Sequence, residues 1–526
     1  MARKTVVLLY GMLEAYDNPF GVHCLQVYCD HDPILASEVT FETLTFGPNE
    51  DAAQVAKKII DLKPWVLGVS CYVWNADKTF EICDYVKSAG ASVLIVAGGP
   101  EAGHVPTEIC NECPGVDVVV TGEGEETFRQ LLLARLAQQP WAGVRGITFR
   151  DEGKIICTPR QGSIDLASLP ILFGPQQGKY LSGLKQKVMY ETLRGCPHVC
   201  FFCDWGVLTP GRVRSFPIER IERELSFILK HRQFSHLYLA DSEINVDDDH
   251  CKGLLRTLNR LKKEYAWDGA VTFHLEISKE IDSEMADLLC EATDGIGIGV
   301  QSLSKPALYQ MGRKWFDIEK FQQNVERLES DIHFVFQFIY GCPGDTYQTF
   351  ADSLKWAVQC DRDVWFDHLQ VLPGSIFRNK HERFGIEFEK KRPFYLKSSN
   401  TFSASDVTRA ENLKRGFLLY NFRKYIHFDS LSEFIGLEPM RLLEAFGEWC
   451  FTNHRDSSLA YARTDPRSLP ENFLAVLAGW IGAFIQSRRS VTGSEYSKLQ
   501  DSFAELGQFS TKPQKLVGDL RSPRGN

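Results

Sequence analysis

Short β-branched runs alternate with amphipathic stretches from Thr5 to about Arg150, the pattern of a parallel sheet whose strands are joined by crossover helices. Thr5–Leu9, Val66–Cys71, Ser92–Ala97, Val116–Thr121 and Gly146–Phe149 predict strands, and Ala52–Leu62, Asp77–Ala89 and Glu125–Ala137 predict helices. In open sheets of this kind the loops at the carboxyl ends of the strands carry function. Residues 151–186 hold few periodic segments and several turn-formers (Pro159, Gly162, Pro170, Pro175, Gly178), which predicts a linker. A second βα series follows, with strands predicted at Val188–Leu193, Leu237–Ala240, Val271–Ile277, Ile296–Val300, Phe334–Ile339 and His368–Val371. Six such units are too few for a closed eight-fold barrel. Past about Phe377 the pattern turns helical and aromatic-rich, at Ser405–Tyr425, Ser430–Cys450 and Leu469–Ser487, and the polar tail from about Thr511 is expected to fray. The chain thus reads as α/β, with domains expected at 1–150, 187–377 and 378–526.

Composition narrows the partners. The chain has 44% hydrophobic residues, 24% charged residues and a formal net charge of −9, a balance with no attraction for phosphate backbones, so no nucleic-acid partner is expected. No apolar run reaches the roughly 18 residues of a membrane span, and no signal-peptide region follows Met1–Tyr10, so no membrane association is expected. Of the fifteen cysteines, Cys71, Cys290, Cys342 and Cys360 stand singly inside apolar runs, where a free thiol behaves as a small hydrophobe. That usage predicts a reducing, cytoplasmic setting.

One segment carries distinctive chemistry. Cys196-Pro-His-Val-Cys200-Phe-Phe-Cys203 places three thiols within eight residues, spaced CxxxCxxC. Three thiolates can hold three irons of a four-iron cube and leave the fourth open to a small molecule. A zinc site and a purely structural cysteine group are the alternatives; zinc would want a fourth ligand, and His198 lies too close in sequence to be an obvious one.

This motif, placed after a first strand and followed by five more βα units, resembles the radical S-adenosylmethionine superfamily. The resemblance implies a partial (βα)6 barrel in which Cys196, Cys200 and Cys203 hold a 4Fe-4S cluster. The open iron of that cluster chelates S-adenosylmethionine, and one electron then yields a 5′-deoxyadenosyl radical. Within the same resemblance, Asp241 and Glu243 at a strand end are candidates for the methionine ammonium. The strand Gly295–Gln301 followed by Ser302 is the candidate wall beside the adenosyl group, its glycines allowing close backbone approach. Glu276 and His274, two apart on a predicted strand, would share one side and are candidates for cofactor contacts or for a polar interior network.

The first series adds glycines at consecutive strand ends, in Gly98-Gly99-Pro100-Glu101 and Gly122-Glu123-Gly124. Before a barrel of this type, they resemble the cobalamin-binding class of radical S-adenosylmethionine enzymes, in which a Rossmann-like domain presents the corrin to the barrel. The resemblance makes Ser70, Tyr72, Trp74 and Asn75 the loop beneath the corrin, with Trp74 covering the lower face. A single Asp-x-His-x-x-Gly match, Asp248 to Gly253, falls in the barrel half and reads as a helix start. Cobalamin is therefore expected base-off, without a protein histidine on cobalt. The class implies a C-methyltransferase that uses methylcobalamin, a small, natural-product-like substrate, a helical C-terminal cap and a flavodoxin- or ferredoxin-type electron donor. Rivals are the same cofactors without methyl transfer, an RNA-modifying radical enzyme and a corrinoid carrier; the acidic balance opposes RNA.

Overall fold

Val6–Leu9 is buried on both sides, which places it in the middle of a sheet. The computed structural model describes residues 3–12, 19–90, 92–175, 187–205, 212–231, 234–293, 295–328, 332–421, 428–453, 476–477 and 479–484. In it β1 (Lys4–Gly11) lies between β2 (Val39–Phe46) and β3 (Val66–Ser70), parallel to both. β4 (Leu94–Gly98) and β5 (Val118–Val120) continue parallel, and β6 (Ile147–Asp151) and β7 (Lys154–Cys157) close the sheet antiparallel. The order is β2-β1-β3-β4-β5-β6-β7. Period-two alternation divides the core. Val7, Leu9, Leu67, Val69 and Ile95 pack with Val55, Ile59, Ile82 and Val86 of the helices Ala52–Asp61 and Ala76–Ser88. Val6, Leu8, Val66, Leu94 and Val96 pack with Val22, Phe128 and Leu131 of Phe20–Asp30 and Gly124–Leu136. The order reverses between β1 and β3, and such a reversal opens a crevice at the carboxyl ends.

Two parts of this sheet escape the sequence pattern. β2 is an edge strand that exposes Glu42 and Thr43, so it carries no continuous apolar run. β7 lies inside the expected linker. It is folded back by Glu152 and Gly153, with φ of 45° and 76°, and a two-residue turn with positive φ at both positions matches the twist of a hairpin.

The chain divides into two compact units. The first is Met1–Val300 with Leu308–Gln337 and Leu369–Leu396. Beyond the first sheet it holds β8 (Lys187–Tyr190), a short antiparallel ladder of β9 (Leu193–Arg194) with β10 (Arg214–Ser215), β11 (His236–Leu239) and β12 (Ala270–His274). β13 (Gly295–Gln301) and β14 (Phe334–Tyr340) begin in it. Apart from the β9–β10 ladder, these strands and β15 (Asp363–His368) form a six-stranded sheet in the order β15-β14-β13-β12-β11-β8. The sixth strand was expected at His368–Val371. It ends at His368 because the next residues pair elsewhere: Val371 N donates to Phe394 O at 2.9 Å and Leu396 N to Leu369 O at 2.9 Å.

The second unit is Gln301–Ala307, Phe338–His368 and Lys397–Asn526. Its helices include Tyr347–Gln359, Ala404–Asn421, Phe428–Ile435 and Pro439–Asn453. The helical stretch predicted at Leu469–Ser487 lies largely outside the described residues. Among the described residues no helix is long and apolar enough to cross a membrane.

Candidate functional site

The cysteine loop leaves β9 through Gly195, whose φ is 104° and whose Cβ, were there one, would sit 2.0 Å from Arg212 O. Only glycine passes there. Cys200 is buried, Cys196 and Cys203 are half-buried, and none of the three is in a disulfide. Cys203 N donates to Cys200 O at 3.1 Å, Phe201 N to Met311 O at 2.8 Å and Phe377 N to Phe201 O at 2.9 Å, so the loop is tied to two other segments of its unit. Burial pushes the Cys196 and Cys200 thiols up; for Cys200 the Arg313 guanidinium opposes it. Arg313 Nη1 donates to Cys200 Sγ at 3.5 Å and Nη2 to Gly299 O at 2.6 Å. Three thiols outside any disulfide on one pinned loop, one of them facing a cation, suit a cluster with three protein ligands. His198 is engaged elsewhere: its Nε2 is 3.2 Å from Glu243 Oε2 and its ring stacks on Trp315 at 3.5 Å. That weighs against the zinc alternative.

The carboxylates beside this loop have separate tasks. Asp241 is fully enclosed; Oδ1 accepts from Thr192 N and Leu193 N at 2.8 and 3.0 Å, and Oδ2 accepts from Thr192 Oγ1 at 2.6 Å. Burial raises its pKa to about 6 against those bonds. Asp241 thus fixes the strand end that leads to Cys196, and both of its oxygens have protein partners. Glu276 Oε1 accepts from Ser278 N at 2.6 Å, its Oε2 lies 4.0 Å from Arg313 Nη2, and burial raises its pKa. Ligand atoms of His198, Glu243 and Glu276 lie within 4.8 Å of one another.

The expected pairing of Glu276 with His274 on one strand is corrected, because β12 ends at His274. His274 instead meets Tyr238 Oη at 3.4 Å and Gln337 Nε2 at 3.2 Å, a polar interior network. Gly297 serves that network, since a Cβ there would lie 2.8 Å from the His274 ring. In the second unit Gln301 has a φ of 68°. Ser302 is fully buried, accepts from Ser304 N at 3.0 Å and bonds Asp345.

At the ends of the first sheet, Asn75 Oδ1 accepts from Tyr72 N at 2.8 Å and Asn75 Nδ2 donates to Gly11 O at 3.2 Å, which joins β1 to the loop after β3. The Tyr72 phenol bonds Ser70. Trp74 is 46% exposed, an unusual state for so large an apolar ring, and it stacks on Tyr72 at 4.4 Å. A Cβ at Gly98 would meet only Val120, at 4.0 Å, and one at Gly122, with φ of 84°, would meet nothing within 4 Å. Gly99 answers a different need: its Cβ would lie 2.6 Å from Cys71 O. A Cβ at Gly124 would lie 3.1 Å from Leu25, and Pro100 opens the short helix Pro100–His104. Glu101 is buried on Arg392 Nε at 2.6 Å, and Glu123 accepts from Arg214 and, at 3.1 Å, from Ile164 N. Asn75, Glu101 and Glu123 are therefore committed to protein groups. The exposed indole and the open ground at Gly98 and Gly122 fit a large flat ligand. The Asp248–Gly253 match is a helix start, with Asp247 accepting from His250 N at 2.8 Å.

Sequence reasoning did not find Arg313, Trp315 or Arg194. Arg194 Nη2 lies 2.6 Å from Glu125 and its Nε 2.9 Å from Glu191, binding the cysteine loop's base to the helix Gly124–Leu136 that joins β5 to the antiparallel β6. Arg313 stands 113 residues from Cys200, in a Gly-Arg-Lys-Trp run with no period to flag it.

Comparisons with known proteins fit this division. The B12 binding domain family matches residues 34–132 and the radical SAM superfamily matches residues 190–357. The cobalamin-dependent radical SAM methyltransferase TokK of Streptomyces tokunonensis is 28% identical over 418 residues, covering 75% of this chain and 59% of that protein. The 2-(S-pantetheinyl)-carbapenam-3-carboxylate methyltransferase of Streptantibioticus cattleyicolor is 30% identical over 410 residues, covering 73% and 58%. The chain thus spans under two thirds of these relatives' length, 59% and 58%. Among solved structures, the cobalamin-dependent S-adenosylmethionine radical enzyme OxsB, with aqua-cobalamin and S-adenosylmethionine bound, shares the fold. Its TM-score is 0.64 at 15% identity, over 98% of this chain and 83% of that one. The radical S-adenosylmethionine methyltransferase TsrM of Kitasatospora setae has a TM-score of 0.60 at 18% identity, over 74% and 79%.

Proposed function

We infer the function of a chain that belongs to the cobalamin-binding radical S-adenosylmethionine proteins: it methylates an unactivated carbon of a small, natural-product-like substrate. The observation that carries this reading is the pinned loop that brings Cys196, Cys200 and Cys203 together outside any disulfide, with a buried cation on Cys200. The exposed Trp74 and the open glycines of the first sheet support the second cofactor.

When bound, the cluster with S-adenosylmethionine supplies a carbon-centred radical and cobalamin supplies the methyl group. The chain's own residues hold and orient. The three cysteines are the cluster ligands. Glu243 and Glu276, buried and close together, are the acceptors for a cationic ammonium, where charge-assisted hydrogen bonds are strongest. Asp241 acts behind them by fixing Thr192 and Leu193. Ser70, Tyr72, Trp74, Gly98, Gly99, Pro100, Gly122 and Gly124 line the corrin ground, with base-off cobalamin and no histidine on cobalt. A flavodoxin- or ferredoxin-type protein is the electron donor.

Anaerobic iron and corrin analysis of the protein supplied with hydroxocobalamin tests the reading. About four irons and retained corrin are expected, with the iron lost when Cys196, Cys200 and Cys203 are replaced by alanine. Iron retained in that triple variant refutes the cluster assignment. With S-adenosylmethionine and a strong reductant, S-adenosylhomocysteine and 5′-deoxyadenosine should both form; 5′-deoxyadenosine alone would favour chemistry without methyl transfer.

A further inference from the structure

Arg313 is 6% exposed and is placed by the backbone around it. The preceding Gly312 has φ of 76°, and a Cβ there would lie 2.6 Å from the Phe201 ring and 2.8 Å from Val199 O. A side chain at 312 would drive the segment off the cysteine loop, to which Met311 O is bonded through Phe201 N at 2.8 Å. The guanidinium itself is fixed on three sides: Nη2 donates to Gly299 O at 2.6 Å, the charge lies 4.4 Å from the Trp315 ring and 5.1 Å from the Phe316 ring. Its Nη1 faces Cys200 Sγ at 3.5 Å. Glu276 Oε2, at 4.0 Å, is the nearest opposing charge and offsets part of the field.

We propose that Arg313 is a positioning residue that sets the reduction potential of the iron–sulfur cluster, acting through the Cys200 sulfur. The proposal rests on the cluster reading above. One-electron reduction adds a negative charge that spreads over the cluster and its thiolates. A fixed cation hydrogen-bonded to one of those sulfurs, away from water, stabilises the reduced form more than the oxidised one and raises the potential. Raising it keeps the reduced cluster within reach of a protein electron donor. The guanidinium suits this task because it stays protonated when buried and holds its direction.

The test is a redox titration of the anaerobically reconstituted full chain, followed by the electron paramagnetic resonance signal of the reduced cluster without S-adenosylmethionine. Wild type, Arg313→Gln and Arg313→Lys are compared at matched iron content. Arg313→Gln should keep its iron, and at the wild-type midpoint its ratio of reduced to oxidised cluster should fall about tenfold, a shift of about 59 mV to more negative potential for a one-electron couple. Arg313→Lys, which keeps the charge, should fall between the two. An unmoved midpoint in Arg313→Gln overturns the proposal. Loss of iron from both variants, with a wild-type circular dichroism spectrum, also overturns it by making Arg313 an assembly residue. A wild-type chain that takes up no four-iron cluster overturns the cluster reading and the proposal with it; a loaded wild type with unmoved variants overturns the proposal alone.

Discussion

Asp241 shows how much a single carboxylate can hide behind its sequence position. At a strand end beside a cysteine loop it reads as a ligand, yet its oxygens accept three bonds from Thr192 and Leu193 and it has almost no solvent contact. Burial outweighs those bonds, so its pKa rises from 3.8 to about 6. The sign follows from proton counting. The native state binds the proton up to about pH 6, whereas the unfolded chain releases it near pH 4, so this residue's contribution to stability falls as pH rises between the two. The difference of roughly two pKa units amounts to about 3 kcal/mol. Asparagine in its place keeps an acceptor for the two backbone N–H groups and cannot titrate. Urea midpoints of the metal-free protein at several pH values should therefore show Asp241→Asn gaining on wild type by about 3 kcal/mol between pH 4 and pH 7. A difference that stays flat with pH would show that Asp241 is ionised throughout.

Among elements, the helices Ala404–Asn421 and Pro439–Asn453 meet through their glycines. A Cβ at Gly416 would stand 1.7 Å from Leu443 O, and one at Gly447 would stand 1.8 Å from Asn412 O. In an open helix, alanine in place of glycine gains about 1 kcal/mol. Here the obstacle is a main-chain carbonyl of the partner helix, which cannot swing aside, so overpacking wins. Gly447→Ala should lower stability by about 2 kcal/mol or more. Gly253 is the control: its Cβ would meet Ile218 at 3.4 Å, an ordinary contact, so Gly253→Ala should be neutral or stabilising by up to about 1 kcal/mol. Thermal melts of the two variants read the contrast, and equal melting points would refute the close crossing.

Elements of this kind were legible where burial left a continuous apolar signature. β1, β3, β4 and β14 were found because both of their faces, or one complete face, are apolar. β2 was not found, because it is an edge with polar exposed positions, and β7 was not found, because it depends on the backbone geometry of Glu152 and Gly153. The run Leu369–Val371 looked like a strand and does pair, but with the segment around Phe394 and not with the sheet. Apolar periodicity reports burial and leaves the partner open.

At the scale of the whole molecule the same limit applies to charge. The three cysteines declare themselves by spacing, whereas Arg313, the cation on Cys200, comes from 113 residues along the chain, and no local pattern announces so distant a partner. Arg392 spans a greater separation: its Nε donates to Glu101 Oε1 at 2.6 Å across 291 residues of sequence, and its Nη1 to Asp77 at 2.7 Å. The Glu101 side chain is 2% exposed and Asp77 is 67% exposed, so the two halves of this contact should differ in energy. An exposed pair contributes at most about 1 kcal/mol, whereas removing one partner of a buried pair strands the other charge at a cost of about 3–5 kcal/mol. Arg392→Met should accordingly destabilise the first unit by several kcal/mol, Asp77→Ala by less than about 1 kcal/mol, and Glu101→Leu combined with Arg392→Met by much less than the two single changes added. Because Glu101 sits directly after Gly98, Gly99 and Pro100, Arg392→Met should also lower the amount of hydroxocobalamin retained through gel filtration, and Asp77→Ala should not. Additive energies in the double variant, or equal corrin retention in both single variants, would mean that the pair does not hold the loop.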